Sequence, residues 1–230
     1  MNPLRPERLD DLLGQKPLIE ALTINIVSAK SRGTCVDHSL LYGPPGTGKT
    51  TVANAVANEM GSSLQVANGA NLRTIKTLIP YVMRIEENSV LFIDEIHRMT
   101  SLVEEFLYPI MEDFKLDMAT ESKDLNGETL SIKIPRFTLL GATTEYGSLS
   151  KPLIDRFKHK HTLSLYNIED LLSILRVNAE KINVPMSECA MRAVAETSRG
   201  TPRIANAGLE WVRDYHIAKG ISRLSRDDVE

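Results

Sequence analysis

Ser39-Leu40-Leu41-Tyr42-Gly43-Pro44-Pro45-Gly46-Thr47-Gly48-Lys49-Thr50-Thr51 decides the fold. Ser39 to Tyr42 reads as a short apolar strand that runs straight into a glycine-rich turn. From Lys49 to Met60 a helical stripe follows, with Val52, Ala53, Val56 and Ala57 on its packing side. Strand, GxxxxGK[ST] loop and helix in that order make a phosphate-binding loop. Its glycines let backbone N–H groups converge on phosphate oxygens with no Cβ in the way. The loop feeds a helix N-terminus, whose dipole favours an anion. Lys49 is placed to reach β- and γ-phosphates, and the Thr50 hydroxyl to ligate Mg²⁺. An accidental Gly-rich turn would lack the flanking strand and helix. The expected ligands are ATP or ADP with Mg²⁺, held by Gly43, Pro44, Pro45, Gly46, Thr47, Gly48, Lys49, Thr50 and Thr51.

The next decisive stretch is Val90-Leu91-Phe92-Ile93-Asp94-Glu95, with Asp94 lying 45 positions after Lys49. A continuous apolar run that ends in carboxylates suits a central parallel strand. Asp94 is expected to hold Mg²⁺ at its carboxyl end and Glu95 to act as general base toward water. Solvated acids at a strand end are common, but the phosphate loop makes that the weaker reading. The second acid favours hydrolysis over binding alone. Thr143-Thr144 closes another apolar strand, Phe137–Ala142, and could orient the water or γ-phosphate. Arg156, in Asp155-Arg156-Phe157, could reach into a neighbouring subunit's site, or could be a surface arginine paired with Asp155. Arg203, in Gly200-Thr201-Pro202-Arg203, could meet nucleotide in its own chain or face solvent. His97 reads as structural or as a relay of phosphate state, since no second histidine stands at ligand spacing.

Working outward, Pro17 begins a helix with Leu18, Leu22, Ile26 and Ala29 on one face, ended by Gly33. Leu64–Ala67 and Thr162–Leu165 are predicted strands. Leu78, Ile79, Val82, Met83 and Ile85 suggest a helix in which Pro80 fits only the first turn. A further helix is expected from about 99 to 113. Residues 116–136 read as a projecting β-hairpin around Asn126-Gly127, with Leu130, Ile132 and Ile134 alternating. After Tyr166 come three helical patterns, at about 168–182, 187–199 and 202–219, with no strand among them. The expectation is a doubly wound parallel α/β domain over 1–165 and a small all-helical domain over 166–230. Ser225-Arg226-Asp227-Asp228 looks like a capped helix start, so the chain is expected to be cut short there.

Composition limits the partners. The chain has 230 residues, a net charge of −3 and 42% hydrophobic residues. No overall basic excess announces nucleic acid, although a local strip would not show in a total. Cys35 and Cys189 lack metal-ligand spacing and read as two buried thiols. No apolar run reaches membrane-spanning length, so a cytoplasmic protein without membrane contact is expected.

These motifs in this order resemble the AAA+ ATPases and, within them, the RuvB family of Holliday-junction branch-migration motors. The likeness runs through Leu4-Arg5-Pro6 with Leu9-Asp10-Asp11 and Gly14-Gln15. It continues through Leu91 to Arg98, Leu107-Tyr108-Pro109, Met111 to Phe114, Phe137 to Thr144, and Arg199 to Ala205. It implies that Thr144 is sensor 1, Arg156 the arginine finger and Arg203 sensor 2. Leu4 and Arg5 would lie near the adenine, and Tyr166 at the junction between the domains. It further implies homo-hexameric rings on double-stranded or junction DNA, in recombination and repair. A RuvA-like protein would dock on hairpin 116–136, and a winged-helix DNA-binding domain would follow the helical one. The chain departs from the family at Thr47, Glu145, Ile154 and Lys158, which stand for Leu, Arg, Arg and Gly. Its hairpin segment Thr120-Glu121-Ser122-Lys123-Asp124 is also more polar and acidic. The alternative is a clamp-loader-like or helicase-loader ATPase switch, though such subunits usually carry Ser-Arg-Cys at Asp155-Arg156-Phe157. A third reading is a regulator that binds nucleotide without turnover.

Overall fold

A computed structural model describes residues 3–119 and 129–219. In chain order the strands are β1 (Ser39–Tyr42), β2 (Leu64–Asn68), β3 (Val90–Asp94), β4 (Lys115–Ala119), β5 (Thr129–Lys133), β6 (Thr138–Thr143) and β7 (His159–Thr162). Five of them form one parallel sheet in the order β2-β3-β6-β1-β7. Strand β6 thus lies between β3 and β1, with Leu140 opposite both Phe92 and Ser39.

Side chains alternate across a strand, and here both faces are covered. Leu40, Leu91, Ile93 and Leu139 pack toward helices α3 (Ile75–Val82), α4 (Ser101–Glu112) and α5 (Lys151–Arg156). Leu41, Val90, Phe92, Leu140 and Ala142 pack toward α1 (Lys16–Arg32) and α2 (Lys49–Met60). Two covered faces explain why Val90–Ile93 of β3 and Leu139–Ala142 of β6 are apolar without interruption. Burying Phe92 completely contributes about 1.5–3 kcal/mol. The predicted faces of α1 and α2 are the buried ones.

Three expectations need correction. The last strand is His159–Thr162 rather than Thr162–Leu165, because Ser39 pairs with His159 and Tyr42 with Thr162. It is an edge strand with alternating exposure, so its sequence is polar. Pro80 lies in the last turn of α3, not the first. The carbonyl that loses its helical partner belongs to Lys76, which is exposed, so Pro80 leaves no unpaired acceptor buried in the core there. The cysteines are free but not both buried: Cys35 is half-buried and Cys189 exposed. Cys189 points away from the face of α7 (Glu188–Thr197) that buries Ala190, Ala193 and Val194.

Strands β4 and β5 pair antiparallel, with Leu116 opposite Ile132, as a separate two-stranded ribbon. Leu116 and Ile134 anchor its base in the core. Asn126-Gly127 and Thr120–Asp124 lie outside the described residues, as does Ser225–Glu230. The helices α6 (Ile168–Lys181), α7 and α8 (Pro202–Lys219) share a core of their own around Leu172, Leu175, Ala190 and Leu209. Asn167 caps α6 by accepting from the Asp170 N–H at 2.7 Å, and Ser187 caps α7 by accepting from Ala190 at 3.2 Å. Each such cap contributes about 1 kcal/mol. Among the described residues no helix is long and apolar enough to cross a membrane.

Candidate active site

The strand order assembles the site. Asp94 ends β3, Thr143 ends β6, and β1 feeds the glycine-rich loop, so three carboxyl ends stand in a row. Neighbouring strands are about 4.8 Å apart, which puts Asp94 two strand spacings from the loop with the Thr143-Thr144 end between them. Ligands of open α/β sheets bind at such carboxyl edges. The cavity there measures about 390 Å³, in the range of small-molecule sites. Pro45 to Thr51, Asp94, Glu95 and Thr144 line it, joined by Leu4 and Arg5 from the N-terminal segment and Tyr166 and Arg203 from the helical block.

The loop geometry depends on glycine at two points. Gly43 has φ 147° and donates its N–H to the Thr143 carbonyl at 3.2 Å. A Cβ at Gly43 would lie 2.0 Å from the Leu163 carbonyl oxygen, so no side chain fits where the chain leaves β1. At Gly46 a Cβ would meet Thr201 at 2.5 Å and the Arg203 Cβ at 3.2 Å. The helical block therefore sits directly over the loop.

Lys49 is buried, and its Nζ donates to the carbonyls of Gly43 and Pro44, both at 2.8 Å. Those two residues do not line the cavity; they hold the lysine from beneath. The Thr47 hydroxyl donates to the same Pro44 carbonyl at 2.9 Å. Burial pushes the Lys49 ammonium pKa down, Asp94 and Glu95 oppose this, and Arg203 adds to it. A phosphate fits this setting. The carbonyls offer Lys49 only dipoles, whereas a phosphate adds the attraction of a full opposite charge, so an anion can draw Lys49 off its two carbonyls. Thr50 and Asp94 line the same cavity. One hydroxyl and one carboxylate leave the rest of an octahedron to phosphate and water oxygens, a donor set suited to Mg²⁺.

Glu95 takes a left-handed conformation with φ 51°, unusual for a residue with a Cβ, and its N–H donates to Asp94 Oδ1 at 3.0 Å. The backbone thus turns sharply between the two acids and presents both to the cavity.

Tyr166 joins three parts of the chain. Its hydroxyl donates to the Thr47 carbonyl at 3.4 Å and its N–H to the Gly200 carbonyl at 2.9 Å. Burial pushes its phenol pKa up to about 12; a hydrogen bond with Gln15 works against this and Asp170 adds to it. Gln15 in turn donates to the Ser164 carbonyl at 2.6 Å. Sequence reasoning missed Gln15 as a cavity residue. It also missed Ile174, Val177, Asn178 and Lys181 of α6 and Asn206, Ala207 and Glu210 of α8, all in the lining. Their spacing of three and four along each helix was the available signal. Asn178 ties the two faces together by donating to Asn206 Oδ1 at 2.8 Å.

Arg156 is the predicted site residue that the structure leaves apart from the rest. It does not line the cavity. Its Nη1 donates to the Pro152 carbonyl at 2.9 Å, its Nε lies 3.4 Å from Glu112, and its guanidinium stacks 3.7 Å from the Tyr108 ring centre.

The chain matches two family models. One, for the Holliday junction DNA helicase RuvB P-loop domain, covers residues 4–163; the other, for the RuvB AAA lid domain, covers 166–230. The Holliday junction branch migration complex subunit RuvB of Rhodopirellula baltica is 44% identical over 216 residues, which are 94% of this chain and 59% of that protein. The corresponding subunit of Fusobacterium nucleatum is 46% identical over 223 residues, 97% of this chain and 67% of its own. The solved Holliday junction branch migration motor RuvB of Thermotoga maritima superposes with a TM-score of 0.88 at 38% identity, covering 99% of this chain and 71% of that one. The chain thus spans roughly three fifths of the length of the curated relatives it matches, from 59% to 67%.

Proposed function

Because this chain belongs to the RuvB family, we propose that it is the ATP-hydrolysing motor portion of a branch-migration subunit, working as a homo-hexameric ring on Holliday-junction DNA. The observation that carries this reading is the shared cavity of Lys49, Thr50, Asp94, Glu95 and Thr144, with Arg156 outside it. Residues 1–165 then form the ATPase domain and 166–230 its lid.

In this reading the loop N–H groups of Gly46, Gly48 and Lys49 bind phosphate oxygens, and Lys49 leaves its two carbonyls for the β- and γ-phosphates. Mg²⁺, held by Thr50 and Asp94, would neutralise charge on the transferred phosphate. Glu95 accepts a proton from the attacking water, and Thr144 orients water or γ-phosphate from the end of β6. Leu4, Arg5 and Tyr166 shape the adenine end, and Arg203 holds the lid to the phosphates. Arg156 completes a neighbour's site and stabilises the charge that develops there. Loss of the γ-phosphate then releases Arg203 and lets the lid move, which converts chemistry into displacement of DNA. The ribbon β4–β5 offers the docking place for a RuvA-like partner.

The reading is tested by phosphate release with and without four-way junction DNA. Stimulation by the junction is expected, together with a loss of about 10²–10⁴ in turnover in Glu95→Gln at undiminished ATP binding. Undiminished turnover in Glu95→Gln would remove the assigned base.

A further inference from the structure

We propose that His97 is a positioning residue for Glu95, and that Glu145 competes with Glu95 for the same ring N–H. The consequence for turnover rests on the ATPase reading above; the geometry does not. His97 lies in the short turn Ile96–Arg98 that follows Glu95, and its side chain is only 6% exposed. Its Nδ1 is 2.9 Å from the Thr143 hydroxyl oxygen at the end of β6. Its Nε2 is 3.5 Å from Glu95 Oε2 and 3.7 Å from Glu145 Oε1.

The proton positions follow from counting donors. Thr143 is fully buried, and its hydroxyl oxygen already accepts the Glu145 N–H at 2.9 Å. Its own O–H therefore needs an acceptor, because a buried donor left unpaired costs about 1–3 kcal/mol. The Nδ1 of His97 is the nitrogen in place to accept it. With Nδ1 accepting, the ring proton sits on Nε2 and faces the two carboxylates. One N–H cannot serve both at full strength, and both distances exceed that of a well-formed bond. The end of β3 and the end of β6 thus share one donor.

This arrangement links Glu95 to Thr144. Thr143, Thr144 and Glu145 are consecutive: the first binds His97, the second lines the cavity, and the third brings a carboxylate oxygen to 3.7 Å from His97 Nε2. A small shift of the β6 end alters how firmly His97 holds Glu95.

Ring ¹⁵N shifts of His97 in the intact protein test the geometry directly and need no activity. A bare Nδ1 with a protonated Nε2 is expected; a protonated Nδ1 with a bare Nε2 would overturn the proposal, because the ring could then not donate to Glu95. In turnover, His97→Leu should lower kcat about tenfold or more with little change in KM, since loss of alignment acts on the chemical step. His97→Gln, which keeps an N–H near the Nε2 position, should recover most of that loss. Glu145→Ala should raise kcat in the parent protein and have no effect in the His97→Leu background. Equal kcat in the parent, His97→Leu and His97→Gln proteins would make His97 a structural tie and end the proposal. If the parent protein releases no phosphate at all, the ATPase reading fails instead, and the ring tautomer still decides whether the contact exists.

Discussion

Arg203 lines the cavity with Lys49, Asp94 and Glu95, whereas Arg156 lies outside it, stacked on Tyr108 and paired with Glu112. The first sits at the start of α8, directly over Gly46, so the chain itself carries it to the phosphate end. The second ends α5, and α4 provides its platform: the Tyr108 hydroxyl donates to Glu104 Oε2 at 3.3 Å and lies 3.3 Å from Ser150 Oγ, and its ring face carries the guanidinium. The difference teaches where one subunit's chemistry stops. The phosphate cradle is built from backbone and near neighbours and is complete within one chain. In the proposed reading the Arg156 charge, held by Tyr108, Glu112 and the Pro152 carbonyl, serves a neighbouring subunit.

The contrast can be broken by substitution. Removing the Arg156 side chain should cost the most. Arg156→Ala is expected to lower turnover by about 10³–10⁵, with nucleotide affinity of the isolated subunit unchanged in a binding titration. A loss of affinity in the isolated subunit would place Arg156 in its own site. Arg203→Ala should do the reverse in kind: it removes a charge-assisted contact of about 1.5–3 kcal/mol and weakens nucleotide binding by about 10- to 100-fold. Tyr108→Leu takes away only the stacking that steadies Arg156, worth about 0.5–1 kcal/mol, so turnover should fall about two- to fivefold with affinity unaltered.

The smallest expected effect uses pH. His38 accepts the Leu139 N–H at Nδ1, 2.8 Å away, and its Nε2 lies 3.1 Å from the Met111 carbonyl near the end of α4. Burial pushes its pKa below the usual histidine value, while the Met111 hydrogen bond and Asp37 resist. The folded protein thus holds His38 neutral more strongly than the unfolded chain does. Its contribution is present above the unfolded value of about 6.5 and is lost as pH falls toward the lower folded one. Protonation would turn the Nδ1 acceptor against the Leu139 N–H. Amide protection in the last turn of α4, beneath the Arg156 platform and corrected for the intrinsic dependence of exchange on pH, should therefore drop between pH 7.5 and 5.5 more than in α2. Equal drops would detach His38 from the platform.

Much of the cradle was legible in the sequence because its determinants are local. Ser39–Tyr42, Gly43–Thr50 and Lys49–Met60 follow one another, and each carries its own signal of apolar run, glycine spacing or helical stripe. The three helices after Tyr166 were equally plain from their spacing. What was not legible depends on how distant segments meet. That His97 touches Thr143 follows from β6 lying beside β3, which no periodicity shows. The strand His159–Thr162 was misplaced because an edge strand needs no apolar run. Cys189 was misjudged because one face of a short helix decides exposure, not the average habit of cysteine.

The central claim, a hydrolytic site finished by a neighbour, is tested most directly by mixing two inactive forms. Glu95→Gln keeps its arginine and loses its base; Arg156→Ala keeps its base and loses its arginine. Mixed in equal amounts with junction DNA and ATP, they form some interfaces with an intact Glu95 on one side and an intact Arg156 on the other. The account predicts phosphate release well above the sum of the two forms measured separately. A mixture no more active than that sum, in assemblies confirmed to contain both forms, would contradict it.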